Sequence, residues 1–156
     1  MITSKYGKIK ERKFIKEAKR WIGTPFLHRG RTYGLGVDCI NYVLAIFENC
    51  HLLPYVHLGW YSFSWYLHKD KHVVFDKLIE QLSPIEIDKD FKIGDVFVYN
   101  FGRANAGHVA VFLGGKNIIH SVYNTGVIMS NMKDKTWSDR FMWALRLEDK
   151  SLGDKY

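Results

Sequence analysis

Val37-Asp38-Cys39 stands between a glycine-rich stretch and an apolar run, and Gly107-His108-Val109-Ala110-Val111-Phe112 follows about seventy residues later. Ile40, Val43, Leu44, Ile46 and Phe47 recur at helical spacing, so a helix is expected to run from Cys39 to about Asn49, with Asp38 where an N-cap belongs. The Gly107 stretch reads as a strand, and His120 lies in the next one. A cysteine at a helix start with a histidine on a distant strand is how a fold builds a thiolate–imidazolium pair. Such a pair is the working part of a cysteine peptidase or acyltransferase.

Outward from this core, Phe14, Ile15, Ala18, Trp21 and Ile22 mark an amphipathic helix from about Glu11 to Trp21, ended by Gly23-Thr24-Pro25. Residues 26 to 37 carry three glycines and no apolar period, and read as a loop. Residues 51 to 70 are aromatic and irregular, which fits a lid, a cleft wall or a long loop with its own small cluster. His72 to Leu82 reads as a second surface helix, broken at Ser83-Pro84. From Gly94 the period changes to two. Strands are expected at Asp95 to Phe101, His108 to Leu113, Ile118 to Val122, Val127 to Ser130 and Met142 to Leu147, followed by a frayed tail from Glu148. Helices first and a sheet of about five antiparallel strands after them make an α+β single domain over residues 1–156.

The chain has 156 residues, 47% of them hydrophobic, enough for one real core. Two cysteines make no disulfide framework. On one helix Cys39 and Cys50 stand about 16 Å apart along the axis, too far for a bridge. Met1 to Arg20 has no apolar h-region and no apolar run approaches a membrane span, so synthesis in the cytoplasm without a signal peptide is expected. The net charge of +7 favours an anionic partner; nucleic acid, anionic lipid and bacterial cell wall all qualify. The basic residues cluster only in the first twenty positions, as the solvated face of a helix does.

The chemistry asks for three groups. A helix N-terminus and a neighbouring imidazolium stabilise the Cys39 thiolate, and backbone N–H groups at the same helix start face an oxyanion. His108 is the candidate base, and His120 the polar group that orients it. An even two-residue turn would point His120 away from His108. An odd loop such as Gly114-Gly115-Lys116 puts it opposite Ala110 on the His108 face, so the triad requires an odd or bulged turn. Cys39, His108 and His120 as three zinc ligands is the competing chemistry, but no CxxC or HExxH accompanies them. No metal and no cofactor are expected. Cys50 reads as a small buried hydrophobe.

Trp21-Ile22-Gly23-Thr24-Pro25-Phe26, Gly36-Val37-Asp38-Cys39, Ile93-Gly94-Asp95-Val96, Gly107-His108-Val109-Ala110-Val111 and Ile119-His120, in this order, resemble the NlpC-type cell-wall peptidases, papain-like cysteine peptidases of bacteria and phages. Leu52-Leu53-Pro54-Tyr55 and a C-terminal strand with Trp137, Arg140, Ala144 and Arg146 resemble the stand-alone phage-associated branch. The resemblance covers roughly residues 12 to 147. It implies Cys39 as nucleophile, His108 as base and His120 as orienting residue. It also implies cleavage of peptidoglycan stem peptides, commonly between D-γ-glutamate and a diamino acid, with Asp38 holding the free amino end of the substrate. Phe26 and Gly107 join Asp38 as candidate substrate contacts. Two positions depart from the pattern: Phe26 replaces the usual tyrosine, and Ile40-Asn41 replaces Ser-Gly.

The expected partner is therefore a peptidoglycan stem peptide, with no obligate nucleic acid. A phage-tail or other protein would carry the enzyme to the wall, and the oligomeric state stays open. Two alternatives remain. One is a papain-like amidase, deamidase or acyltransferase on a protein or lipid. The other is a non-catalytic phage-tail or nucleic-acid-binding module using the charge and aromatics.

Overall fold

The computed structural model describes residues 3–4, 7–63, 70–86, 90–101 and 107–147. The tail from Glu148 and part of the aromatic segment, residues 64–69, lie outside the described residues. Two short strands, β1 (Thr3–Ser4) and β2 (Gly7–Lys8), pair first. Helix α1 (Glu11–Arg20) buries Phe14 and Ala18, while Arg12, Lys13, Lys16, Lys19 and Arg20 are exposed, which is the solvated basic face expected. Beyond it Gly23 turns the chain with φ 91°.

The expected loop at 26–37 contains a small hairpin, β3 (Arg31–Thr32) with β4 (Gly36–Val37). Strands of two residues carry no periodicity to read. Helix α2 (Cys39–Asn49) is buried from Cys39 through Phe47, and so runs through the core rather than along its edge. Helix α3 (Asp70–Gln81) turns Val74 and Leu78 inward.

Ser83-Pro84 ends α3 as expected, but the chain continues directly into a strand, β5 (Ser83–Ile85), paired with β10 (Phe141–Arg146). Proline lacks the N–H a central strand needs, and β5 is an edge strand. The sheet therefore has six strands rather than about five. Its order is β5-β10-β6-β7-β8-β9, antiparallel throughout, with β6 at Val96–Tyr99, β7 at His108–Gly114, β8 at Asn117–Val122 and β9 at Gly126–Asn131. One face, with Val96, Val98, Val109, Val111, Ile119 and Leu145, joins the core of α1 and α2. The other, with Phe97, Tyr99, Ala110, Phe112, Ile118 and Ala144, is covered by Trp137. Trp137 lies on a short helix, α4 (Lys135–Ser138), not on the C-terminal strand where the sequence motif places it.

Two features of the sheet position the site. The turn between β7 and β8 is bulged: Val111 pairs with Ile119 and Phe112 with Ile118, then the register shifts before Gly114↔Asn117. Gly114 and Gly115 hold φ of 99° and 59°, a backbone that side chains with a Cβ rarely adopt. Carried one step further, the Val111↔Ile119 register sets His120 beside Ala110, on the His108 face. Past that point β7 and β8 part. The Val109 N–H acts to lower the pKa of the Cys39 thiol, and Ser121 Oγ donates to Val37 O at 2.7 Å. That bond ties the segment leading into α2 to β8.

Candidate active site

Asp38 closes the first turn of α2. Its Oδ1 accepts from the Asn41 N–H at 2.9 Å. Its Oδ2 accepts from the Arg29 N–H at 2.9 Å and from the Tyr61 hydroxyl. Tyr61 in turn accepts from Asn41 Nδ2 at 3.0 Å. The departure Ile40-Asn41 is thus built in: Ile40 fills the core, and Asn41 holds the tyrosine that holds Asp38. Asp38 is only 3% exposed. Burial raises its pKa, and the hydrogen bonds from Tyr61, Asn41 and Arg29 oppose that rise.

With the Asn41 N–H taken by Asp38, the N–H groups of Cys39 and Ile40 remain at the helix start, and both act to lower the pKa of the Cys39 thiol. His108 Nε2 lies 2.8 Å from His120 Nδ1, and His120 Nε2 lies 2.8 Å from Ser130 Oγ. Ser130 is reached because His120 pairs with Ile128, which leaves the residue two further along β9 on the same face. Trp137 packs against both imidazoles, with ring centroids 5.4 Å from His108 and 4.4 Å from His120.

Cys39 and His108 open on one cleft of about 340 Å³, lined also by Phe26, His28, Asp38, Phe63, Phe101, Gly107, Val122, Tyr123 and Trp137. Phe26, Phe63 and Tyr123 form its aromatic wall, with centroids 5.1 to 6.5 Å apart. Of the aromatic segment, Tyr61 is buried and Phe63 lines the cleft, while Tyr55 and Trp60 are exposed away from its lining.

Burial dominates the electrostatics of the thiol and of both imidazoles. Burial, and secondarily the Asp38 charge, pushes the Cys39 thiol up to about 12, against the local N–H groups. Burial and then His120 hold His108 well below the ordinary imidazole range, and burial brings His120 to about 3. Both shifts favour the neutral thiol and the neutral imidazole, and an ion pair gains as the proton passes from sulfur to nitrogen and each ion supplies the other's partner.

All six sequence candidates, Cys39, His108, His120, Asp38, Phe26 and Gly107, stand in or directly behind this cleft. Three contributors escaped the sequence reading: Tyr61, Ser130 and His28. Tyr61 comes from an aperiodic segment, Ser130 is one polar residue on an edge strand, and His28 has no motif. Zinc ligation by the three candidates meets a chemical obstacle, since His120 already engages both ring nitrogens. Among the described residues no group of His, Cys, Asp and Glu is arranged for a metal ion. Cys50, the other free thiol, sits at the far end of α2 and is half-buried.

A helix-borne cysteine and a strand-borne histidine that open on one cleft are the groups a cysteine peptidase uses. More narrowly, the NlpC/P60 family model matches residues 23–146, and the chain belongs to that family of cysteine peptidases. Three solved structures are similar. An NLP/P60 family protein similar to lipoprotein from Staphylococcus aureus subsp. aureus Mu50 has 17% identity and a TM-score of 0.64, over 90% of this chain and 42% of that one. An NlpC/P60 family protein from Bacillus cereus ATCC 10987 has 18% identity and a TM-score of 0.68, over 91% and 41%. The NlpC/p60 domain of the peptidoglycan hydrolase SagA has 19% identity and a TM-score of 0.63, over 89% and 100%. At these identities the likeness is one of fold, and the chain spans about two fifths of the first two proteins. No curated protein matches the sequence.

Proposed function

We propose that this chain hydrolyses peptidoglycan, as a cysteine endopeptidase of the stem peptide. The observation that carries the reading is the Cys39 sulfur, held at the start of α2 in the cleft that His108 also lines. Cys39 attacks the amide carbonyl as His108 takes its proton. The N–H groups at the start of α2 stabilise the oxyanion, and His108 returns the proton to the leaving amine. Water then hydrolyses the thioester by the reverse route. His120 orients His108. Support for the substrate comes from family membership, from the peptidoglycan hydrolase among the structural relatives and from the net charge of +7.

The bond proposed is D-γ-glutamyl-diamino acid. Phe26 and Gly107 line the substrate cleft; Asp38, enclosed by its three donors, acts first as the helix cap. Leu52 to Tyr55 and the Trp137 to Arg146 motif support a relation to the stand-alone phage-associated branch. A virion or a lysing cell then delivers it to the wall. Among the described residues no helix is long and apolar enough to cross a membrane. Replacing Cys39 with Ala is expected to abolish cleavage and leave the fold intact, measured by product formation and circular dichroism; turnover at the wild-type rate sinks the reading.

The aromatic wall of Phe26, Phe63 and Tyr123 favours a second reading, in which the same acyl chemistry acts on an apolar lipid or protein acyl group. Transfer from a thioester donor, with no action on stem peptides, would select it.

A further inference from the structure

Beyond the Cys–His–His arrangement, we infer that Ser130 is a positioning residue whose hydroxyl fixes the tautomer of His120 and through it the base form of His108. The inference rests on the catalytic reading above, but not on the identity of the substrate.

A neutral imidazole has one donor and one acceptor nitrogen. His108 meets His120 through Nε2, and His120 meets Ser130 through Nε2. Only two proton arrangements satisfy both contacts. In the first, His120 donates from Nε2 to Ser130 Oγ, so its Nδ1 accepts from His108 Nε2–H. His108 Nδ1 then carries a lone pair and can take the thiol proton. In the second, Ser130 donates to His120, His120 donates to His108 Nε2, and the His108 proton sits on Nδ1. That form has no lone pair left for the thiol. The hydroxyl of Ser130 therefore decides whether the base is competent.

Three observations favour the first arrangement. Ser130 is only half-buried, so its own O–H can reach water while its oxygen accepts from His120. His120 is fully buried, so an Nε2–H without an acceptor would be costly there. Among the described residues, the relay hydrogen-bonds to no carboxylate. Its flanks are the rings of Tyr99, Phe101 and Trp137. With no anion to impose the tautomer, as a buried acid does in a serine triad, the task falls to a neutral oxygen. Oγ is the nearest group able to perform it. As the thiol proton arrives on His108 Nδ1, the chain His108 Nε2–H, His120 Nε2–H, Ser130 Oγ needs no further proton movement. Each dipole already points its negative end toward the new cation.

The test measures the rate of Cys39 alkylation by iodoacetamide from pH 5 to 9. Wild type, Ser130→Ala and Ser130→Thr are compared in a Cys50→Ser background, with ¹⁵N spectra of the imidazoles alongside. The inference predicts about a tenfold lower rate for Ser130→Ala near pH 7, the order of loss seen when an imidazole loses its outer partner. The inflection moves to higher pH and the His120 spectrum loses its Nε2–H signature. Ser130→Thr, which keeps a hydroxyl, restores both. An unchanged pH profile and tautomer in Ser130→Ala overturns the inference while leaving the catalytic reading intact, even if thermal stability falls. A Cys39 that is inert in wild type and indifferent to His108→Ala overturns both.

Discussion

Asp38 commits both carboxylate oxygens to the protein itself, to Asn41 on one side and to Arg29 and Tyr61 on the other. Its first contribution is therefore to fix the helix start that carries the thiol. Asp38→Ala is expected to lose about 1–2 kcal/mol for the cap alone, read as a lower urea midpoint at unchanged slope. An unaltered midpoint would show that α2 is held by packing only. The cap was legible in the sequence because an aspartate before an apolar helical run has one obvious partner, the N–H three residues on. Tyr61 was not legible. It reaches Asp38 across a segment with no period, and only the folded chain brings the two together. The juxtaposition of His108 and His120 was legible for a related reason: strand alternation places them on one face once the turn is known to be bulged.

That turn is where element-level logic decides the site. Deleting Lys116 would convert the odd connection into an even one and carry His120 to the other face of β8. The expected outcome is loss of both hydrolysis and rapid Cys39 alkylation; retention of either contradicts the assigned register. A second element-level device joins the strand ends. Arg146 of β10 donates from Nε and Nη2 to the two oxygens of Asp95, at 2.8 and 2.7 Å, and Asp95 is fully buried just before β6. Arg146→Ala leaves the buried Asp95 charge with the Lys92 N–H but without its cation, and is expected to cost about 3–5 kcal/mol. A double-mutant cycle with Asp95→Ala should return a large coupling, and additive losses would refute the pairing. The sequence showed both residues within motifs but not their partnership, because 51 positions separate them. Strand β5 was hidden differently: its proline reads as a breaker, and only the empty edge beside β10 makes it a strand.

At the scale of the whole molecule, the two buried histidines set the response to acid. Their folded pKa values lie below the free value, so the folded state binds fewer protons than the unfolded chain. Their contribution is fully present above about pH 6.5 and is lost as pH falls through that value toward the folded pKa, at up to about 1.4 kcal/mol per pH unit for each. Asp38 acts in the opposite sense: burial raises its folded pKa, so its contribution is lost as pH rises through that value. Thermal melts should therefore show stability declining from pH 6.5 to 5, with a shallower slope in His120→Gln; parallel slopes would mean that His120 titrates normally.

The central claim is that the thiol at the start of α2 cleaves a stem-peptide amide. Its most direct test is mass spectrometry of L-Ala-γ-D-Glu-diaminopimelate peptides and digested peptidoglycan, incubated with wild type and with Cys39→Ala. New fragments are expected with wild type alone, their masses identifying the γ-glutamyl bond. Intact substrate with both proteins, or equal cleavage by both, would contradict it.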